Sequence, residues 1–255
     1  MDVVTLVSAA VALAGAATAA VLGYWTQRRL RTLEQRNLMD AYGASLAWAA
    51  FDLQSRLFNI LYGYAIDLAP GPRHGFLTTF LVNGSPEEAE YARRSTIFVL
   101  AEYLGWVEIM RRDIQFLDLG RSRTNQSVMI KISDVSSALN RMSSDSNELR
   151  LFRAQQRAIG ELMVHPDGEP GRRRCLGFAE FSAKLDTDDV FRRWFQQLLA
   201  DIDSLAEDVT PALPRLQRIQ QHLVALIDLL DPKSERFPHF RDAFDRDRHL
   251  RAAAG

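Results

Sequence analysis

The feature that most constrains the fold is a run of twenty residues near the N-terminus, Val3 to Leu22, that contains no charged side chain. Twenty residues of α-helix extend about 30 Å, which matches the thickness of the hydrocarbon core of a bilayer. Tyr24 and Trp25 follow directly, and amphipathic rings of this kind favour the lipid–water interface. The sequence therefore predicts a transmembrane anchor with interfacial aromatic residues over residues 1–25.

The charges around this run set its predicted topology. No basic side chain precedes the run, whereas Arg28, Arg29 and Arg31 come after it. Cytoplasmic flanks of membrane helices are enriched in Lys and Arg, so this order predicts a single-pass protein of the cell membrane with its N-terminus outside and its C-terminal domain in the cytoplasm. The predicted membrane-interface residues are these three arginines with Tyr24 and Trp25, and the lipid bilayer is the first predicted partner.

Two other interpretations of the run remain open. Eight of its twenty residues are alanine, so it could instead be an alanine-rich helix of a soluble core. Triplets of the A-x-A type also occur, as they do at the cleavage sites of secretory signals. Signal peptides carry their positive charge before the apolar segment, however, and here the charge follows it. The order of charges therefore favours the anchor.

Small residues recur at every fourth position within this segment, at Gly15, Ala19 and Gly23. In lipid, small side chains at this spacing let two helices approach closely. These three positions are therefore candidate contacts for a homodimer formed through the transmembrane helix.

Overall charge and cysteine content narrow the function classes. The formal net charge is −1, without the large basic surplus of a general nucleic-acid binder, so no nucleic-acid partner is predicted. Cys175 is the single cysteine, which rules out an intrachain disulfide and fits a reducing compartment.

The remainder of the chain is dominated by helical signals. Residues 26–47 form a predicted juxtamembrane helical stalk, residues 48–232 a cytoplasmic helical bundle, and residues 233–255 a charged, partly disordered tail. Apolar periodicity and capping residues predict helices over 26–69, 85–119, 127–142, 147–164, 176–185, 186–205 and 211–231. The alternation over 128–132 also permits a brief strand, and residues 73–84 and 165–174 are predicted linkers. The predicted fold class is all-α: a single N-terminal transmembrane helix followed by a soluble bundle of about five to seven helices.

The sequence contains no phosphate loop, dinucleotide fingerprint, zinc-ligand spacing or nucleophile elbow, so no catalytic residue, cofactor or metal site is predicted. Glu102 and Glu108 are acidic residues in the apolar middle, residues 96–110, of the predicted helix 85–119. Glu108 is expected to pair with Arg111 and Arg112, and Glu102 with an arginine across the bundle. The alternative for both carboxylates is acid–base chemistry with a raised pKa.

Three arginines, Arg172 to Arg174, precede Cys175 in the second linker. They would lower the pKa of an exposed thiol, whereas a buried Cys175 would be an inert core residue. The same arginines could receive an acidic partner or could simply be solvated. Arg28, Arg29, Arg31 and Arg36 could likewise contact anionic lipid.

Taken together, these features predict a single-pass, membrane-anchored helical protein that acts as a non-enzymatic interaction, scaffold or sensor module on the cytoplasmic face, with a protein partner. The alternative is a membrane-tethered enzyme with a dispersed acid–base site between helices.

Overall fold

The computed structural model of this chain describes residues 2–63, 75–114, 123–142 and 146–241. Across these residues the regular structure is helical, with one isolated antiparallel bridge between Val164 and Cys175. The α-helices are α1 (Val3–Tyr62), α2 (Pro86–Ile114), α3 (Arg123–Asn140), α4 (Arg153–Met163), α5 (Phe178–Thr187), α6 (Asp189–Glu207) and α7 (Leu213–Leu230). A π-helix (Thr78–Val82) precedes α2, and a short 3-10 helix (Thr210–Ala212) precedes α7. The predicted all-α class is confirmed.

The chain divides into two compact units, Met1–Gly43 and Ala44–Gly255. The first unit contains the N-terminal part of α1, and its described side chains between positions 11 and 30 are exposed. The stalk was expected to meet the bundle after residue 47, whereas the division lies at residue 43. In the part of the chain that the structure describes, no helix combines the length and the hydropathy needed to cross a membrane.

The second unit is built around α2, whose middle was expected to be covered on several sides. Helix α2 packs against α4, α5, α6 and the π-helix, while α3 packs mainly on α7. The C-terminal part of α1 joins both groups. Its Arg56 donates hydrogen bonds to Ser95 and Thr96 of α2, and its Gln54 accepts one from Gln220 of α7.

Local capping signals determine where several helices begin. Ser85 accepts a hydrogen bond from the main-chain N–H of Glu88, and its own N–H donates to the Glu88 carboxylate at 2.8 Å. This reciprocal pair is a capping box, and it starts α2 at the predicted position. Asp188 likewise accepts hydrogen bonds from the N–H groups of Val190 and Phe191, which starts α6.

Helix α1 ends at Tyr62, earlier than the predicted end at residue 69. Gly63 adopts a φ of 87°, and its N–H donates to the carbonyl of Asn59 at 3.2 Å. A glycine in the left-handed region is a common helix terminator because it carries no Cβ. Residues 64–69, which were also expected to be helical, lie outside the described residues, as do 115–119 at the predicted end of α2.

Three other boundaries differ from the expectations. The linker 73–84 is helical where it is described between residues 76 and 82. Helix α4 begins at Arg153 rather than near residue 147, because Leu149 has a φ of 54° and its N–H donates to the buried carboxylate of Asp201 at 2.9 Å. The ambiguous stretch 128–132 lies inside α3, which packs on α7, and two of its residues four positions apart, Val128 and Ile132, are buried.

The predicted tail is not disordered from its start. Phe237 is buried and stacks on Phe51 of α1 with the ring centroids 4.3 Å apart. Asp231 accepts hydrogen bonds from the N–H groups of residues 235, 236 and 237, and Arg241 forms ion pairs with Asp228 and Asp231. Residues 233–241 therefore belong to the bundle. Residues 242–255 lie outside the described part.

Candidate functional site

The candidate site is a pair of carboxylates where α1 lies against α2. Arg56 anchors this contact: its guanidinium donates to Ser95 Oγ at 3.0 Å and to Thr96 Oγ1 at 2.9 Å, and it lies 3.8 Å from the ring centroid of Phe76. Asp52 lies one turn before Arg56 on α1, and Glu102 lies about two turns beyond Thr96 on α2. The helices run in opposite directions here, so the two acidic side chains come close enough for their charges to interact.

Of the two carboxylates, Glu102 has the environment that is more typical of an acid–base group. Its side chain is half-buried between fully buried neighbours. Burial, together with the smaller effect of the negative charge of Asp52, raises the pKa of Glu102 to about 7. Among the described residues, no arginine pairs with Glu102, so the expected cross-bundle ion pair is absent there. A carboxyl group with this pKa exchanges its proton near neutral pH.

The environment of Asp52 is similar but more open. Partial desolvation by the neighbouring helix raises the pKa of Asp52, and the charge of Arg56 opposes that effect. Because the Arg56 guanidinium donates to hydroxyl groups of α2, it does not bridge to Asp52. The result is a pair of carboxylates that repel each other and that form no ion pair within the described residues.

Replacing Glu102 by glutamine is expected to stabilise the protein at pH 8. The folded-state pKa of about 7 lies above the ordinary value of 4.5, so the folded chain binds the proton more tightly than the unfolded chain. The parent protein therefore loses stability as the pH rises from about 4.5 through 7. Discounting for partial solvent exposure, we expect Glu102→Gln to gain about 1–2 kcal/mol at pH 8 and almost nothing at pH 4.5.

Urea denaturation at the two pH values measures this difference. Glu169→Gln is the matched control, because Glu169 is exposed and its replacement removes the same charge. A Glu102→Gln variant that is less stable than the parent at pH 8 would show that the carboxylate makes a favourable interaction when charged.

Glu108 behaves as the sequence predicts. It is buried, and it accepts hydrogen bonds from Arg111 Nε at 3.0 Å and Arg112 Nε at 2.8 Å. Burial alone would raise the pKa of Glu108, but the two guanidinium groups outweigh this effect and hold the pKa below its ordinary value. The predicted ion pairs are confirmed, and Glu108 stays charged as a structural residue.

Cys175 is buried next to Glu102. Its Sγ lies 3.8 Å from the main-chain carbonyl of Glu102. Burial raises the pKa of the thiol, and the charge of Glu102 adds to this effect. The structure confirms that Cys175 is a buried core residue, and the pKa of its thiol is raised instead of being lowered by the preceding arginines.

The arginine-rich linker is tied to α2. Arg173 Nε donates to Asp113 Oδ1 at 2.8 Å, and the Gly171 N–H donates to Asp113 Oδ2 at 2.8 Å. Arg174 lies 2.7 Å from Nε2 of His165, which is itself buried. The ion pair with Asp113 neutralises the charge of Arg173. The side chain of Arg173 is partly buried, whereas those of Arg172 and Arg174 are exposed. Sequence analysis missed Asp113, because nothing local links the end of α2 to a loop some sixty residues later.

The candidate membrane residues lie in the first unit. Tyr24 and Trp25 are exposed, and the guanidinium of Arg28 lies 6.0 Å from the Trp25 ring centroid. Arg29 is exposed as well, while the side chains of Arg31 and Arg36 lie outside the described part. A Cβ added at Gly15 or Gly23 would meet no atom within 4 Å, and Ala19 is exposed between them. The homodimer contact through these positions stays a prediction.

The described residues were also expected to contain no metal site, and that expectation stays a prediction. No group of three or more His, Cys, Asp or Glu side chains among them is arranged to hold a metal ion. Comparison of the chain with protein-family models, with curated proteins and with solved structures finds no match.

Proposed function

We propose that this chain is a membrane-tethered, non-enzymatic adaptor whose N-terminal helix inserts into lipid and whose helical bundle binds a protein on the cytoplasmic face. The observation that carries the proposal is the exposure of large apolar side chains around the N-terminal part of α1. Val11, Leu13, Val21 and Leu22 are 55–72% exposed. At 100° per residue these positions point in different directions, so exposed apolar side chains lie on more than one side of the helix, which supports contact with lipid.

Lipid is the surrounding that the flanking residues favour. The uncharged run Val3–Leu22 is followed by Tyr24 and Trp25 and then by arginines, which is the order of core, interface and cytoplasmic flank. The guanidinium of Arg28 lies 6.0 Å from the Trp25 ring centroid, a cation–π contact that supports a common interface role for the two residues. The same order supports an N-terminus outside the cell and a cytoplasmic bundle.

Two chemically notable side chains of the bundle are accounted for by its folded structure. Cys175 is a buried thiol with a raised pKa, and Glu108 is held charged by two arginines. Glu102 is the one observation that favours the alternative, an enzyme with an acid–base group between helices, because a pKa of about 7 suits proton transfer at neutral pH.

Flotation of the full-length chain with phosphatidylcholine–phosphatidylglycerol vesicles tests the tether. We expect the protein to float with the vesicles and to resist extraction by alkaline carbonate. Val11→Glu combined with Leu13→Glu should abolish both, because each carboxylate in the middle of a membrane helix costs roughly 2.5–3.5 kcal/mol. The matched control adds the same two charges at exposed apolar positions of the bundle, Met142→Glu and Val190→Glu.

The outcomes of this experiment are distinct. Carbonate-resistant flotation supports insertion, whereas flotation that carbonate reverses indicates a helix lying on the surface. Parent protein that stays at the bottom of the gradient would overturn the tether. Turnover of a substrate that is lost in Glu102→Gln, with flotation intact, would favour the enzyme.

A further inference from the structure

Helix α1 carries an exposed tryptophan in the second unit. Trp48 is 52% exposed, yet its ring packs edge-on against Phe237 with the centroids 4.7 Å apart and against Phe51 at 6.3 Å. These contacts hold the indole in one orientation while half of its surface faces solvent. A pre-ordered aromatic side chain loses little entropy on binding, which is why tryptophan is enriched at the centres of interfaces.

Negative charge lies directly beside this ring. Asp52 follows Trp48 by four residues, so both side chains project from the same face of the helix. Glu102 adds a second carboxylate from α2. The other titratable groups around the pair are Arg56 on α1, whose guanidinium is bonded to α2, and the buried thiol of Cys175 before α5. The face formed by Trp48, Asp52 and Glu102 is therefore aromatic and acidic.

We propose that this acidic–aromatic face binds a basic segment of a partner protein, with a lysine or arginine side chain lying against the Trp48 ring and a second one between the carboxylates of Asp52 and Glu102. The inference rests on the proposed function, since it names the chemistry of the adaptor's partner. Trp48 and Asp52 are separated by about 6 Å along the helix axis, a spacing that two cations four residues apart on a partner helix reproduce.

Charge complementarity selects this partner over others. A cation gains from the ring face and from two carboxylates that repel each other in the free protein, so binding relieves an existing repulsion. An acidic segment or a nucleic-acid backbone would meet like charge at the same place. Two carboxylates alone provide too few ligands for a divalent metal, and the described residues around them complete no metal site.

Fluorescence anisotropy with defined peptides tests the proposal. The protein is the full-length chain in a zwitterionic detergent at pH 8 and low salt. The probe is a labelled sixteen-residue helical peptide with lysine at every fourth position, and the comparison peptide carries glutamate at those positions. We expect saturable binding of the lysine peptide alone, and a loss of affinity of about 10-fold or more in the Asp52→Asn, Glu102→Gln double variant.

A matched double variant separates a specific site from general charge attraction. Glu169→Gln with Glu207→Gln removes the same two charges at exposed positions elsewhere in the bundle and should keep the parent affinity within about 2-fold. Trp48→Ala should weaken binding as well, with its folding checked by circular dichroism. Equal losses in the two double variants, equal binding of the two peptides, or no binding by the parent protein would each overturn the proposal.

The pH dependence provides a second readout. Because the cation favours the charged form of Glu102, affinity for the lysine peptide should fall as the pH is lowered from 8 to 6, and Glu102→Gln should remove most of that dependence. Flotation of the same variants distinguishes the two proposals. Vesicle binding without peptide binding would contradict only the proposed peptide-binding face. Peptide binding without vesicle binding would contradict only the proposed membrane tether.

Discussion

Replacing Phe181 by alanine is expected to lower the free energy of unfolding by about 3–5 kcal/mol, the largest loss that we expect for a single side chain in this bundle. Phe181 lies on α5 and is completely buried. Its ring meets those of Phe98, Phe191 and Phe195 at tilted to near-perpendicular angles, with centroids 5.1–5.6 Å apart. Truncation would leave a cavity among three helices and remove three favourable ring contacts.

Chemical denaturation of the full-length chain in detergent measures this loss. Phe240→Ala is the matched control, because the same side chain is 84% exposed there and its removal should change stability by no more than about 0.5 kcal/mol. A loss below about 1 kcal/mol for Phe181→Ala would mean that α5 does not pack between α2 and α6 as described.

The second large effect is expected at the crossing of α2 and α4, where glycine allows the two helices to touch. A Cβ added at Gly160 would lie 2.6 Å from the carbonyl oxygen of Leu104 and 3.0 Å from the Cβ of Glu108. A backbone oxygen cannot relieve the clash by changing rotamer as a side chain can, so α4 would have to shift away from α2. We expect Gly160→Ala to cost about 2–3 kcal/mol, despite the gain of roughly 1 kcal/mol in helix propensity.

Gly177→Ala is the control for the steric clash, since an added Cβ there meets no atom within 4 Å; at this N-cap of α5 the expected effect is only a small loss from replacing Gly by Ala. Thermal denaturation of the two variants under identical conditions gives the comparison. If Gly160→Ala raises the melting temperature, the gain in helix propensity outweighs the clash, and α2 and α4 do not approach each other as closely as described.

The successes of sequence analysis lie where the determining interactions are local. Ser85 and Glu88 are three residues apart, and Asp188 caps the helix that follows it, so the starts of α2 and α6 could be predicted from adjacent residues. The Glu108 ion pairs span three and four residues for the same reason. Sequence analysis fails where the local backbone conformation depends on groups that are far apart in the sequence. Leu149 departs from helical geometry because Asp201, far along the chain, accepts its N–H.

The candidate site divides in the same way. Glu102 stood out in the sequence as a carboxylate in an apolar helix, but its expected arginine was not found among the described residues. Asp52 was not predicted as a site residue, because a single acidic residue on a helix is ordinary in sequence. Trp48 shares a helix face with Asp52 through their four-residue spacing, but only the packing of α1 on α2 makes Asp52 a neighbour of Glu102.

By itself, the sequence determined the all-helical class, the main helix starts and the uncharged N-terminal run, because these depend on backbone propensity, capping and hydropathy over a few turns. Tertiary structure alone decided that Asp113 holds the arginine loop, that residues 233–241 join the bundle and that two carboxylates meet beside a tryptophan. Those features depend on charges and rings brought together from positions far apart in the sequence, and burial then sets their energies.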